Sequence, residues 1–230
     1  MKKLLETLKQ KWAEYLLEIL VIIIGILGAF TLNNWNESRK DMISERVYLA
    51  AINQEFKANK IQFEKVMRTF DRQHHLADSL MNLFPITVDN WADIKKMYGR
   101  VFHRWSFDPK HGSIESIINS GKIDLVQNTD LRMLISTWND QYDDYKEEEN
   151  KLQEKRDIFD DLYLNEFSNR KENGRVVPLA DEARVKLEKL MNMRRGDLRR
   201  ITGNSPINQE AEELMMTIDS IISLTQPYVQ

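Results

Sequence analysis

Four histidines, a run of carboxylates, a basic helix and an aromatic-rich loop are the parts of this 230-residue sequence that could carry chemistry. His74 and His75 are adjacent, so they cannot share a helix face and do not make a ligand pair; His74 better suits a satisfied polar position in a helical seam. His103 and His111 lie eight residues apart across a loop-like stretch with Asp108 between them. A zinc ion held by His103, Asp108 and His111 is one reading of that stretch, but no pair has the i, i+4 spacing of a helical histidine motif. Asp140, Asp143, Asp144, Glu147, Glu148 and Glu149 crowd together. Paired carboxylates do acid–base work only in a pocket that separates their pKa values, and a run on a long helix is expected to be a solvated face. There is no Gly-rich phosphate loop, no Ser-His-Asp order and no Lys-based motif. The chain has no cysteine, which removes thiol catalysis, disulfides and Cys-based metal sites. No catalytic residue, metal ligand or cofactor is therefore assigned, and the expectation is a protein that is not an enzyme.

Two clusters point to binding instead. Arg184, Lys186, Lys189, Arg194, Arg195, Arg199 and Arg200 make one segment locally basic. They suit pairing with the acidic run on a neighbouring helix, or else contact with anionic lipid or a polyanionic polymer. Phe84, Trp91, Tyr98, Phe102, Trp105 and Phe107 concentrate aromatic rings in a short span. Such rings fill the core of a small cap, and with arginine they are also the anchors of binding surfaces. Phe102, His103, Arg104, Trp105, Phe107 and His111 form the candidate partner-binding loop. A formal net charge of −3 lacks the basic balance of a nucleic-acid binder.

The elements that position these residues begin with a membrane candidate. Residues 19–32, ILVIIIGILGAFTL, carry no charge; Leu16 and Leu17 extend the run, interrupted by Glu18. About twenty helical residues cross about 30 Å of hydrocarbon. Ten Ile, Leu, Val or Phe residues among the fourteen contribute roughly −5 kcal/mol to insertion in total, more than the ~3 kcal/mol of a charge at the helix centre, and Glu18 sits nearer one end. Trp12, Tyr15 and Trp35, with Asn33, Asn34 and Asn36, fall at the two interfaces. No Ala-x-Ala cleavage site follows the run, so an uncleaved anchor is expected rather than a signal peptide. Lys2, Lys3, Lys9, Lys11 and the terminal amine precede it, against Arg39, Lys40 and Arg46 after it, which puts the N-terminus in the cytoplasm. Gly25 and Ala29 form a small-xxx-small pair with Gly28 beside it. Glu18 must be neutral, reach the interface or meet a polar partner. Glu18, Gly25, Gly28 and Ala29 are thus the candidate helix-association residues.

The segment Glu18-Ile19-Leu20-Val21-Ile22-Ile23-Ile24-Gly25-Ile26-Leu27, followed by Asn33-Asn34-Trp35-Asn36-Glu37-Ser38-Arg39-Lys40, resembles the N-terminal signature of an uncharacterised family. Its members are short single-pass membrane proteins frequent in Bacteroidota. A second stretch, Ser120-Gly121-Lys122-Ile123-Asp124-Leu125 and then Asn128-Thr129-Asp130-Leu131-Arg132, resembles the same family. Here Ala29-Phe30-Thr31-Leu32-Asn33-Asn34 stands where the family usually has Ala-Leu-Gln-Ile-Asn-Asn. The resemblance implies location and architecture; the family carries no assigned activity.

Beyond the anchor, low Gly and Pro content favours long helices. Leu49, Ile52, Phe56, Phe63, Val66, Phe70, Ala77, Met81 and Phe84, with Asn59 and His74 between them, make a coiled-coil-like seam that Pro85 ends. A helix is expected over Trp91–Val101, and Ser113 can cap a short one to Ser120, with Gly121 at its left-handed end. Asn128 should cap a second long helix carrying Leu131, Ile135, Trp138, Tyr142, Tyr145, Leu152, Phe159 and Tyr163. After a break at 173–178, helices follow from Asp181 to Ile201 and from Ser205-Pro206 to Thr225.

The expected architecture is all-α: a transmembrane helix continuing into an elongated antiparallel helical bundle, with a small aromatic-rich helical insertion at its distal end. The parts are a cytoplasmic tail (1–11), the membrane helix (12–35) and a periplasmic bundle (36–230), with 85–128 as the insertion. The second long helix should run back toward the membrane. The expected role is a non-catalytic periplasmic scaffold or subunit of a bacterial inner-membrane assembly. Its partners would be the lipid bilayer and a second copy or other membrane subunits, with no nucleic acid. The alternative is a sensor-like accessory subunit that binds a small ligand or peptide and signals through a partner's membrane helices.

Overall fold

Without a proline or glycine between Glu37 and Phe84, nothing interrupts the helical ladder, and one helix, α1, runs Lys2–Met81. The computed structural model describes residues 2–87, 89–166, 171–172, 175–176, 180–203 and 209–229. The chain divides into two compact units, Met1–Tyr48 and Leu49–Gln230. The protein is all-α, as its composition leads one to expect. After α1 come α2 (Trp91–Val101), α3 (Gly112–Asn119), a 3-10 turn at Ile123–Leu125, α4 (Thr129–Glu166), α5 (Asp181–Ile201) and α6 (Glu210–Thr225). A two-residue ladder, Lys171–Glu172 with Arg175–Val176, makes a small antiparallel hairpin between α4 and α5.

In the first unit the stretch of α1 from Leu16 to Leu32 is covered by no described residue. Its apolar side chains from Leu16 to Leu32 are between 48% and 68% exposed on every side of the helix. It is long and apolar enough to cross a membrane.

In the second unit the seam on α1 buries Leu49, Ile52, Phe56, Phe63, Val66, Phe70 and Ala77, with Asn59 in register. Leu80, rather than Met81, takes the last buried position. Local signals set the other helices. Asn128 Oδ1 accepts the Leu131 N–H at 2.9 Å and caps α4. Gly121, at φ +66°, closes α3, with the Lys122 N–H reaching back to Ile117 O at 3.1 Å. The cap position of α3 is His111, two residues before the expected Ser113, whose N–H and hydroxyl go to Glu55 instead. Asn90 ties the turn after α1 by donating to Leu83 O and accepting from the Thr87 N–H. Ser205 and Pro206, and the residues 173–174 and 177–178 of the expected break, lie outside the described residues.

The direction of α4 is a correction. Phe56 meets Trp138 with ring centroids 4.7 Å apart, and Phe63 meets Tyr145 at 5.2 Å. Residue numbers rise together on the two helices, so α4 runs parallel to α1 instead of returning along it. The reason is the path of residues 102–113. It starts at the level of Gln73, which bonds His103 O, and reaches Glu55, which bonds Ser113. Eighteen helical residues span about 27 Å, a distance that about ten extended residues cover. The aromatic-rich segment therefore leaves the Met81 end of this unit and travels down its length, so α4 starts at the Leu49 end. The antiparallel partners are α5 and α6: Arg194 donates to Leu152 O, Lys60 pairs with Asp219 at 2.6 Å, and Asn53 donates to Thr225 Oγ1 at 2.9 Å.

This register makes Trp138 a central core residue and leaves Ile158 on the outside, 53% exposed. Trp138→Ala should cost about 3–5 kcal/mol, whereas Ile158→Ala should stay within about 0.5 kcal/mol. Urea denaturation of the full chain in detergent, followed by circular dichroism, measures both.

Candidate functional site

The candidate partner-binding loop is an extended strap laid between α1 and α4. An extended segment without a neighbouring strand leaves its N–H and C=O groups to be satisfied by other means. Here helix side chains supply the partners. From α1, Gln73 donates to Arg100 O and His103 O, and Asn59 both donates to Lys110 O (2.7 Å) and accepts from its N–H (2.8 Å). From α4, Arg156 donates to Phe102 O, Gln153 to Trp105 O and Lys146 to Phe107 O, while Glu149 accepts the Phe107 N–H at 2.9 Å. Phe102 and Phe107 are buried completely, against Phe159 and Phe63 respectively. These two rings are core, not partner-facing. His103, Arg104, Ser106, Asp108 and Lys110 are exposed, and Trp105 is half-buried under Lys65.

The acidic run splits accordingly. Asp140, Asp143, Asp144 and Glu147 are solvated as expected, but Glu148 and Glu149 are buried. Glu149 is 1% exposed and accepts from Ser106 Oγ, Lys146 Nζ, Tyr145 Oη and the Phe107 N–H. Burial forces it to find four donors, and the strap brings two of them. Ser106 Oγ also lies 2.7 Å from Lys146 Nζ, a spacing that a serine nucleophile and lysine base would need. Burial pulls the Lys146 ammonium down, but the hydrogen bond and charge of Glu149, with Tyr142, outweigh it and raise its pKa above the ordinary value. An ammonium held charged cannot take the serine proton. The Tyr145 phenol is pushed well up by its burial and by Glu149.

On the basic segment, Arg194 is 2% exposed. It donates to Leu152 O (2.6 Å), Gln73 Oε1 (3.2 Å) and Val101 O (3.4 Å), and its guanidinium lies 5.5 Å from the Phe102 ring. Burial pushes it down to about 10, still charged at neutral pH. Pairing with the acidic run is made by Arg200 and Glu148, at 3.8 Å. Arg195 pairs with Asp78, and Arg184 and Lys186 with Asp181 and Glu182 of their own helix.

His103, Asp108 and His111 do not converge among the described residues; His111 instead lies 3.7 Å from Glu115. The group that does converge is His74, His75 and Asp78, whose ligand atoms lie within 4.8 Å of one another. The expectation that His74 and His75 stay apart is thus corrected, although their nearest carboxylates differ: His74 Nε2 lies 3.9 Å from Asp78, one turn on, and His75 Nε2 3.7 Å from Asp71, one turn back. His74 is 12% exposed and its Nδ1 is buried without a hydrogen-bond partner among the described residues, so the seam position is not a fully satisfied one. Arg195 already neutralises Asp78, and its positive charge stands where a cation would bind.

In the first unit, Glu18, Gly25, Gly28 and Ala29 are all exposed. A Cβ placed on Gly25 or Gly28 would meet no atom within 4 Å. Trp12, Tyr15 and Trp35 are exposed, Asn33 donates to Glu37 one turn on, and Asn34 and Asn36 face outward.

A family model matches residues 18–177 of this sequence. The chain belongs to DUF6090, a family of unknown function. No curated protein and no solved structure matches it. The DUF6090 match covers the apolar helix from Glu18, the strap and the whole of α4, and it ends before α5. The acceptors and donors that hold the strap, from Glu55 to Arg156, lie inside it. Arg194 lies outside it and reaches the strap from α5.

Sequence reasoning missed Glu149, Gln73 and Arg194 as buried polar anchors. Asn59 alone announced itself, as a polar residue in an apolar register. Glu149→Ala should destabilise the full chain by about 3–5 kcal/mol, because Lys146 is left as an uncompensated partly buried charge and the Phe107 N–H loses its acceptor; urea denaturation reads it. A pH effect follows from Asp78. Burial pushes its carboxyl up, but the hydrogen bond and charge of Arg195, with both histidines, outweigh that and hold it below the ordinary 3.8. Its contribution is present above the unfolded-state value and lost as pH falls through the lower folded one. Arg195→Met should therefore flatten the loss of melting temperature seen from about pH 5 downward.

Proposed function

We propose that this DUF6090 chain is a membrane-anchored, non-catalytic scaffold or subunit of a membrane protein assembly. Its bundle lies on the periplasmic side of a bacterial inner membrane, its N-terminus lies in the cytoplasm, and it acts through protein–protein contacts. The observation that carries this reading is the apolar helix: a span with exposed oily side chains on all sides and no described residue packed on it. Water is the wrong solvent for such a surface, and hydrocarbon is the right one. The excess of lysine before the span supports the orientation.

Contact through the membrane is supported by Gly25, Gly28 and Ala29, where the helix surface is low and open. In lipid, close backbone approach replaces the hydrophobic effect as the source of helix association. Glu18 adds a polar group that favours a partner over bare hydrocarbon. The cluster around Glu149 supports the non-catalytic part, since its groups are spent on holding the strap.

In mild detergent the natural protein should run as a defined oligomer or with a stoichiometric second subunit. Gly25→Leu, which fills the open surface, and Glu18→Leu should each reduce that species, as read by native mass spectrometry. A monomer that neither substitution changes contradicts the proposal.

A further inference from the structure

A cleft of about 280 Å³ opens between α1 and α2, within the second unit. Its chemistry is one-sided. Arg72, Arg100 and His103 stand around it, and no carboxylate lines it. None of the three forms an ion pair with a described residue: Arg72 is turned onto Arg68 O and Thr69 Oγ1, His103 touches the edge of Trp105, and Arg100 has no side-chain partner. In a chain with 36 acidic residues and a net charge of −3, two guanidinium groups without a carboxylate partner among the described residues, beside the His103 imidazole, make a local positive field.

The polar side chains of the floor are already engaged: Thr69 donates its hydroxyl to Lys65 O and accepts from Arg72. Gln73 spends its amide N–H groups on Arg100 O and His103 O and its oxygen on Arg194. Leu76, the Trp105 ring and Gly99 make the rest of the surface apolar. Trp105 is held in place by Lys65 over its face, 5.5 Å away, and by the Gln153 bond to its carbonyl. Gly99 sits inside α2, where glycine is the poorest helix former apart from proline, and a Cβ there would meet nothing within 4 Å. Its missing side chain keeps the hollow open.

We propose that this cleft binds a small organic anion, with a carboxylate or phosphoryl head among Arg72, Arg100 and His103 and a flat apolar body against Trp105, Leu76 and Gly99. The volume is near the lower end of small-molecule sites, which suits a single ring bearing one charged group. This goes beyond the scaffold reading and does not depend on how the first unit associates.

The test is calorimetry on the full-length protein in detergent with four probes: phenyl phosphate, benzoate, inorganic phosphate and benzyl alcohol. At least one aromatic anion should bind saturably, and which one does assigns the head group. Inorganic phosphate and benzyl alcohol, each carrying half of the recognition, should bind roughly tenfold more weakly or worse. Gly99→Leu should abolish binding while the melting temperature holds or rises. Arg100→Gln, at an exposed side chain with no partner to lose, should weaken binding roughly tenfold or more. The proposal is overturned if neither aromatic anion binds at millimolar concentration, if binding ignores both substitutions, or if inorganic phosphate binds as tightly as phenyl phosphate.

Discussion

The second unit depends on how a stretch of extended backbone is satisfied inside a helical bundle. Residues 102–113 carry N–H and C=O groups into a region with no strand to pair them, and each unpaired buried group costs about as much as a typical substitution removes. Asn59 and Gln73 from α1, with Lys146, Glu149, Gln153 and Arg156 from α4, answer those groups one by one. Because the strap can travel, α4 begins toward the Leu49 end, sets Trp138 against Phe56 and runs parallel to α1. Because α4 runs that way, α5 and α6 supply the antiparallel partners and bring Arg194 onto Leu152 and Gln73. The same arrangement ties the Glu149 carboxylate to the Lys146 ammonium, the Ser106 hydroxyl and the Phe107 N–H.

The first unit is governed by the opposite problem. Its backbone is satisfied by its own helix, but its apolar side chains from Leu16 to Leu32 are covered by no described residue. Membership of DUF6090 extends across this helix from Glu18 onward. A surface of that kind in water would drive aggregation, and in a bilayer it is neutral. Within a bilayer only polar and small residues distinguish one side of such a helix from another, and on this one those are Glu18, Gly25, Gly28 and Ala29.

Much of this was legible in the sequence wherever the signal was local. Trp91–Val101 and Asp181–Ile201 begin and end where their flanking residues imply, Asn128 caps α4, and Gly121 closes α3. The seams through Phe56 and Trp138 followed from three- and four-residue spacing. What was not legible is long-range. A loop rich in aromatic rings reads the same whether it caps a tip or lies along a bundle, so the direction of α4 was misjudged. Glu149 looks like its neighbours in the acidic run because only the strap, thirty-five or more residues earlier, distinguishes it. His74 and His75 occupy adjacent helix positions, yet the freedom of their rings brings ligand atoms of both and of Asp78 within 4.8 Å of one another, which helix spacing alone does not show.

The account rests most on the apolar helix being embedded in lipid, and alkaline carbonate extraction of native membranes tests this directly. The account predicts that the full-length chain stays with the vesicles, as an integral protein held by about 30 Å of hydrocarbon does. Release of the chain into the carbonate supernatant, alongside peripheral proteins, would contradict it.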